Sequence, residues 1–184
     1  MKRLQLFLAG LVATAATGCA MSLEPIGVKS DEIDVSEWEG VWVHEESFGV
    51  DPIVAVIRIE AREDARLRIN WLELDGDEVH LRVSTASLRL LNDAVFLNVM
   101  VPGDDRDAKP RYYWARVEKD GDSARAWIPD YDELEKLVSK GRLPGEIDEV
   151  AYEITLGRLS SEHERILSTV ALPVVPVVFR RIGG

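Results

Sequence analysis

From Glu37 onward, apolar and polar side chains alternate over short runs separated by turn residues. This is the pattern of half-buried antiparallel strands. Gly40-Val41-Trp42-Val43-His44 starts the first. The second, Ile53 to Glu63, sets Ile53, Ala55, Ile57 and Ile59 against Arg58, Glu60 and Arg62. Ala65 to Leu74 sets Leu67, Ile69 and Trp71 against Arg66, Arg68 and Asn70. Asp75-Gly76-Asp77 predicts a hairpin turn into a strand where Val79, Leu81 and Val83 alternate with His80, Arg82 and Ser84. After a turn at Asn92-Asp93, the run Ala94 to Val101 is more continuously apolar, as expected of a strand covered on both sides. A polar loop from Pro102 to Pro110 precedes Tyr112 to Glu118 and Ser123 to Ile128, which flank a second hairpin at Asp120-Gly121.

Pro129 interrupts the strand series. Asp130 followed by Glu133 predicts a capped helix, with Tyr131, Leu134, Leu137 and Val138 on one face and Gly141 as its stop. Asp148 to Gly157 returns to strand, Ser161 with Glu164 predicts a second helix to Thr169, and Val174 to Arg181 is a last strand. The expected fold is therefore mainly β, a single antiparallel barrel of about eight strands with two short helices in the C-terminal third. Closing the sheet removes its edges.

The first residues follow a different plan. Met1-Lys2-Arg3 is basic, LQLFLAGLVATAA (4–16) is almost wholly apolar, and small residues follow. That is the layout of a secretory signal, too short for a spanning helix of about 20 residues. The only cysteine, Cys19, ends the tetrapeptide Ala16-Thr17-Gly18-Cys19. This resembles the lipobox of bacterial lipoproteins, with Ala16 where Leu is usual. The resemblance implies diacylglyceryl transfer to the Cys19 sulfur, cleavage before Cys19, and acylation of the new amino terminus with a fatty acyl chain such as palmitate. Ala20 rather than Asp after the cysteine resembles the outer-membrane sorting rule, which places the domain in the periplasm. An ordinary cleavable signal with a cysteine near the cut is the alternative. The expected organisation is a cleaved signal peptide over 1–18, a lipid-anchored tether over 19–36 and the barrel over 37–184. Fully extended, residues 20–36 would reach about 55–60 Å and hold the domain off the bilayer; partial packing on the domain is the alternative.

Charge narrows the partners. The 22 Lys+Arg against 33 Asp+Glu give −11, and cleavage removes Lys2 and Arg3. Nucleic acid, whose phosphates require basic residues, is not an expected partner. One cysteine rules out an intrachain disulfide framework and a multi-cysteine zinc site. Hydrophobic residues at 46% exclude general disorder.

Catalytic chemistry finds little support. His44, His80 and His163 read as surface residues with no metal-ligand spacing, and no nucleophile–base set or phosphate loop can be assembled. The Asp75, Asp104-Asp105 and Asp120 to Asp122 clusters lack the later ligands of a calcium loop. No catalytic residue, metal or cofactor is expected. Residues 130–153 are rich in Asp and Glu, which suits either a docking face for a basic protein partner or a solvated surface.

The aromatics remain. Trp42, Trp71, Trp114 and Trp127 fall on separate predicted strands, where they either fill a core or line an apolar ligand cavity. Gly40-Val41-Trp42 is similar to the G-x-W of lipocalins, whose Trp plugs one end of an eight-stranded barrel. That resemblance implies a packing role for Trp42 and a small hydrophobic ligand. Two functions stand open: a non-enzymatic, lipid-anchored envelope protein with an apolar ligand, or an envelope assembly protein acting through its acidic surface.

Overall fold

Tight turns fix which strands pair. Asn92 and Asp93, at φ 47° and 63°, and Gly121, at φ 56°, adopt the left-handed backbone that two-residue hairpins require. The computed structural model describes residues 19–48, 51–62, 64–75, 78–102, 109–169 and 176–183. The expected signal 1–18, the Gly76-Asp77 turn, the centre of the 102–110 loop and Val174 lie outside the described residues.

In chain order the elements are β1 (Cys19–Ser22), a 3-10 turn (Val35–Trp38), β2 (Gly40–Phe48), β3 (Asp51–Ala61), β4 (Arg66–Asp75), β5 (Glu78–Leu91), β6 (Ala94–Val101), β7 (Arg111–Asp120) and β8 (Ser123–Trp127). Then come α1 (Tyr131–Ser139), β9 (Gly145–Asp148), β10 (Glu153–Leu156), α2 (Ser161–Thr169) and β11 (Val177–Ile182). Strands β2 to β8 pair antiparallel in sequence, and β11 pairs with both β8 and β2. The result is a closed antiparallel eight-stranded barrel of the lipocalin-like kind. The expected strand over 148–157 is not part of it. There β9 and β10 form a small hairpin, and β10 runs parallel to β1.

Two hydrophobic cores follow from strand alternation. Leu67, Ile69, Ala86, Leu88, Ala115, Val117, Ala124, Ala126 and Phe179 point into the barrel together with Trp38 and Trp42. Outside the wall, Phe96 and Trp114 pack with Tyr131, Leu134 and Leu137 of α1 and with Ile154, Leu156, Ile166 and Leu167. So β6 at Phe96 and β7 at Trp114 and Ala115 are buried on both faces because each face meets a different core.

Helix starts are set by side-chain caps. Asp130 Oδ1 accepts the Glu133 N–H at 3.1 Å, as the sequence predicts. For α2 the cap lies one residue earlier than expected. Ser160 Oγ accepts the His163 N–H and His163 Nδ1 accepts the Ser160 N–H, at 3.4 and 3.1 Å. This is a reciprocal capping box with His in the place of Glu.

Two expectations need correction. The apolar set of β5 does not face inward: Leu81 and Val83 are exposed outside, 65% and 49%. The register pairs buried Leu67 with Ala86 and Ile69 with Ser84, so the even positions take the lumen. In a 14-residue strand the phase set by Ala86 and Leu88 carries back through Ser84 and Arg82. The segment 19–36, expected as a tether, is also part of the domain. Strand β1 pairs with β7 on one edge and β10 on the other, and Ala20, Met21, Ser22 and Ile26 are buried. Gly27, at φ 88°, lies where a Cβ would stand 2.6 Å from Leu90 O, so the close pass of Val28 along Leu90 requires glycine.

Asn98 clamps this segment. Its Oδ1 accepts the Ile26 N–H at 2.6 Å, and its Nδ2 donates to Ile26 O at 3.1 Å and Phe96 O at 3.3 Å. Asn98→Ala leaves both Ile26 backbone groups buried without these partners. It should cost about 2–4 kcal/mol in urea unfolding. It should also open residues 23–32 to protease, and an unchanged midpoint would show that the clamp is dispensable.

Candidate ligand cavity

One end of the barrel is closed by a plug built around Trp42. The 3-10 turn before β2 is capped by Asp34, whose carboxylate accepts from the Ser36 N–H at 2.9 Å and the Ser36 hydroxyl at 2.6 Å. Those bonds hold the Asp34 carboxyl below its ordinary range. The turn delivers Trp38 against Trp42, with ring centroids 6.5 Å apart, and the Trp42 indole N–H donates to Trp38 O at 2.9 Å. From the last strand, the Arg181 guanidinium lies 5.6 Å over the Trp42 ring. It also donates to Glu37 O, Glu39 O and the Asp122 carboxylate, at 3.4, 3.3 and 2.8 Å. Lys119 reaches Glu37 at 3.6 Å from the β7 side. Gly40, at φ 140°, is required there, because a Cβ would stand 2.8 Å from Arg181 Cδ.

Above the plug the lumen is lined by small and branched side chains. Ala86, Ala115, Ala124 and Ala126 contribute little volume to their walls. Ile57, Trp71, Leu97, Val99 and Val177 belong to this cluster and point inward, yet each keeps part of its surface accessible. These are the positions at which the lumen side of the wall remains reachable from solvent. Arg82 lies in the inward phase opposite Trp71 and is exposed, so a cation stands beside the apolar wall away from the plug.

The expected tryptophans separate into three environments. Trp42 and Trp71 belong to the lumen, one in the plug and one in the wall. Trp114 does not join them. Ala115 and Val117 take the inward phase of β7, so Trp114 faces the outer core, 6.1 Å from Phe96. Trp127 is on the outward phase of β8, with the Arg116 guanidinium 5.1 Å over its ring. Alternation with Ala115 and Val117 was the available signal; aromatic content alone did not carry it.

His44 also departs from expectation. It is buried rather than at the surface, 5.4 Å from the Phe179 ring. Its Nδ1 lies 2.8 Å from Val178 O; a carbonyl only accepts, so Nδ1 carries the proton in this bond. The ring therefore ties β2 to β11. The His80 side chain lies outside the described residues. No group of three or more His, Cys, Asp or Glu among the described residues is placed to hold a metal ion.

Several acids of the 130–153 segment have local partners. Asp130 caps α1, Glu133 pairs with Lys136 at 2.6 Å, Asp148 caps the β9–β10 turn and Glu153 meets Arg111 at 2.5 Å. A separate outer pocket of about 220 Å³, bordered by Glu24, Pro25, Arg89 and Glu164, is polar and below the usual range for small-molecule sites. The lumen is the better candidate. Compared with family models, with curated proteins and with solved structures, the chain gives no match in any of the three.

Arg181→Ala removes the stacked cation and three hydrogen bonds from the plug. It should lower unfolding stability by about 1–3 kcal/mol. Arg181→Lys should recover only part of this, since an ammonium lacks the planar fork. Near-UV circular dichroism should report the loosened Trp42; full recovery by Lys would refute the stacked-fork role.

Proposed function

We propose that this protein is a lipid-anchored envelope protein, carried on Cys19, whose barrel holds a small apolar ligand without catalysing a reaction on it. The carrying observation is the accessible apolar lining at Ile57, Trp71, Leu97 and Val99 above a plugged end. Hydrophobic burial supplies affinity there. Acylation of Cys19 would give the permanence that one acyl chain cannot, because two or more chains hold a protein stably to a bilayer. Among the described residues, no helix is long and apolar enough to cross a membrane. The sorting resemblance at Ala20 favours the outer membrane, with the barrel in the periplasm.

Two experiments test this reading. Titration with a panel of fatty acids should shift or quench tryptophan emission, and Val99→Trp should abolish the response by filling the lumen. Val83→Trp, on the outer wall, should preserve it. A flat response across the panel would remove the ligand from the proposal. Independently, Cys19→Ala should move the protein from the membrane to the soluble periplasmic fraction; retention through washing would refute the anchor.

A further inference from the structure

The expected tether does not exist as a free segment, and this fixes what lies beside Cys19. Cys19 is the first residue of β1 and stands opposite Glu153 in parallel register with β10. Neighbouring strands lie about 4.8 Å apart, so the backbone at Cys19 sits within one strand spacing of the start of β10. The turn that feeds β10 carries two of the most exposed large apolar side chains described, Val150 at 94% and Tyr152 at 60%. This turn is not loose. Asp148 Oδ1 accepts both the Val150 and Ala151 N–H groups at 2.9 Å, and Tyr152 sits at φ 52°.

We propose that the β9–β10 turn is a second membrane contact, in which Val150 and Tyr152 enter the headgroup boundary of the bilayer that holds the lipid on Cys19. This rests on the lipid-anchor reading. Cleavage before Cys19 makes this strand residue the first of the mature chain. No linker remains to lift the domain, and whatever lies at this end of β1 lies at the membrane surface. Apolar side chains gain by leaving water at that depth, and tyrosine favours it because its ring is apolar and its hydroxyl stays wet. Charge specifies the surface. Glu149 is exposed in the turn, and Glu153, at its end, is already neutralised by Arg111 at 2.5 Å. Unpaired acid disfavours an anionic surface, so the contact suits zwitterionic headgroups. The turn then orients the barrel; the acyl chains alone would only hold it.

The test uses the full-length lipoprotein purified from membranes in detergent and returned to phosphatidylcholine vesicles. With the Cys19 sulfur acylated, Val150→Cys introduces the only free thiol, and it takes a polarity-sensitive dye. Val83→Cys, on the outer wall of β5, is the control; both sites are exposed, so neither change disturbs the fold. The proposal expects blue-shifted emission at 150 and severalfold stronger quenching by brominated acyl chains there than at 83. Equal, water-like emission at both sites in protein that floats with vesicles would overturn the turn contact and leave the anchor standing. Shielding at 150 without bromolipid quenching would mean a protein neighbour or a second copy, and would also overturn it. A Cys19 thiol that still takes the dye, in protein that does not float, would overturn the anchor and this proposal together.

Discussion

Closure of the barrel is the constraint on which the rest depends. Once β6 pairs with β7 and β11 bridges β8 to β2, no strand can shift by one residue without turning its whole inward set outward. Each strand therefore has a single phase, set wherever its burial is strongest. On β4 that place is Leu67 and Ile69, and the register passes their phase to Ala86 and Ser84 on β5. On β7 it is Ala115 and Val117, and Trp114 must look outward. A bulky outward aromatic on a barrel wall has to be covered, and the chain covers it with α1, α2 and the β1–β10 ribbon. The second core is a consequence of closing the first.

Local signals were legible where chemistry acts within a few residues. The Asn92-Asp93 turn, the Asp130 cap and the two-sided apolar run at 94–101 all act over such distances, and the structure bears them out. Phase was less legible. Val79, Leu81 and Val83 alternate as cleanly as any buried set, and only pairing with β4 shows that Leu81 and Val83 lie outside. The four residues of β1, Cys-Ala-Met-Ser, are too short to show a period; their burial comes from β7 and β10, distant in sequence. His44 shows the same limit. It reads as a surface residue in a charged sequence, while its partners, Val178 and Phe179, lie on the last strand.

The plug and the packed N-terminal segment are two parts of one path. After β1, the chain passes Asn98, crosses Leu90 at Val28 and ends in the 3-10 turn that places Trp38 over Trp42. Arg181 then joins the last strand to that turn through Glu37 O and Glu39 O. The barrel is held shut by side chains from its first and last strands and from the segment before it, so residues 20–38 belong to its stability as much as any strand.

Strand β7 joins the N-terminal strand to the lumen. Along one edge, Tyr112 and Tyr113 pair with Ser22 and Met21 of β1, two residues from Cys19. On its inward face the same strand supplies Ala115 and Val117 to the lumen. On the proposed lipid anchor at Cys19, attachment and lumen would be separated by a few residues of hydrogen-bonded sheet, with no flexible linker between them. A domain tied on a long tether samples many orientations, and its cavity opens in no fixed direction. A domain whose first residue is already in the sheet does not. Its mouth holds one relation to β1, set by the ladder between β1 and β7. If the proposed anchor and ligand are both real, an apolar ligand moving between bilayer and lumen would meet a fixed geometry at every encounter.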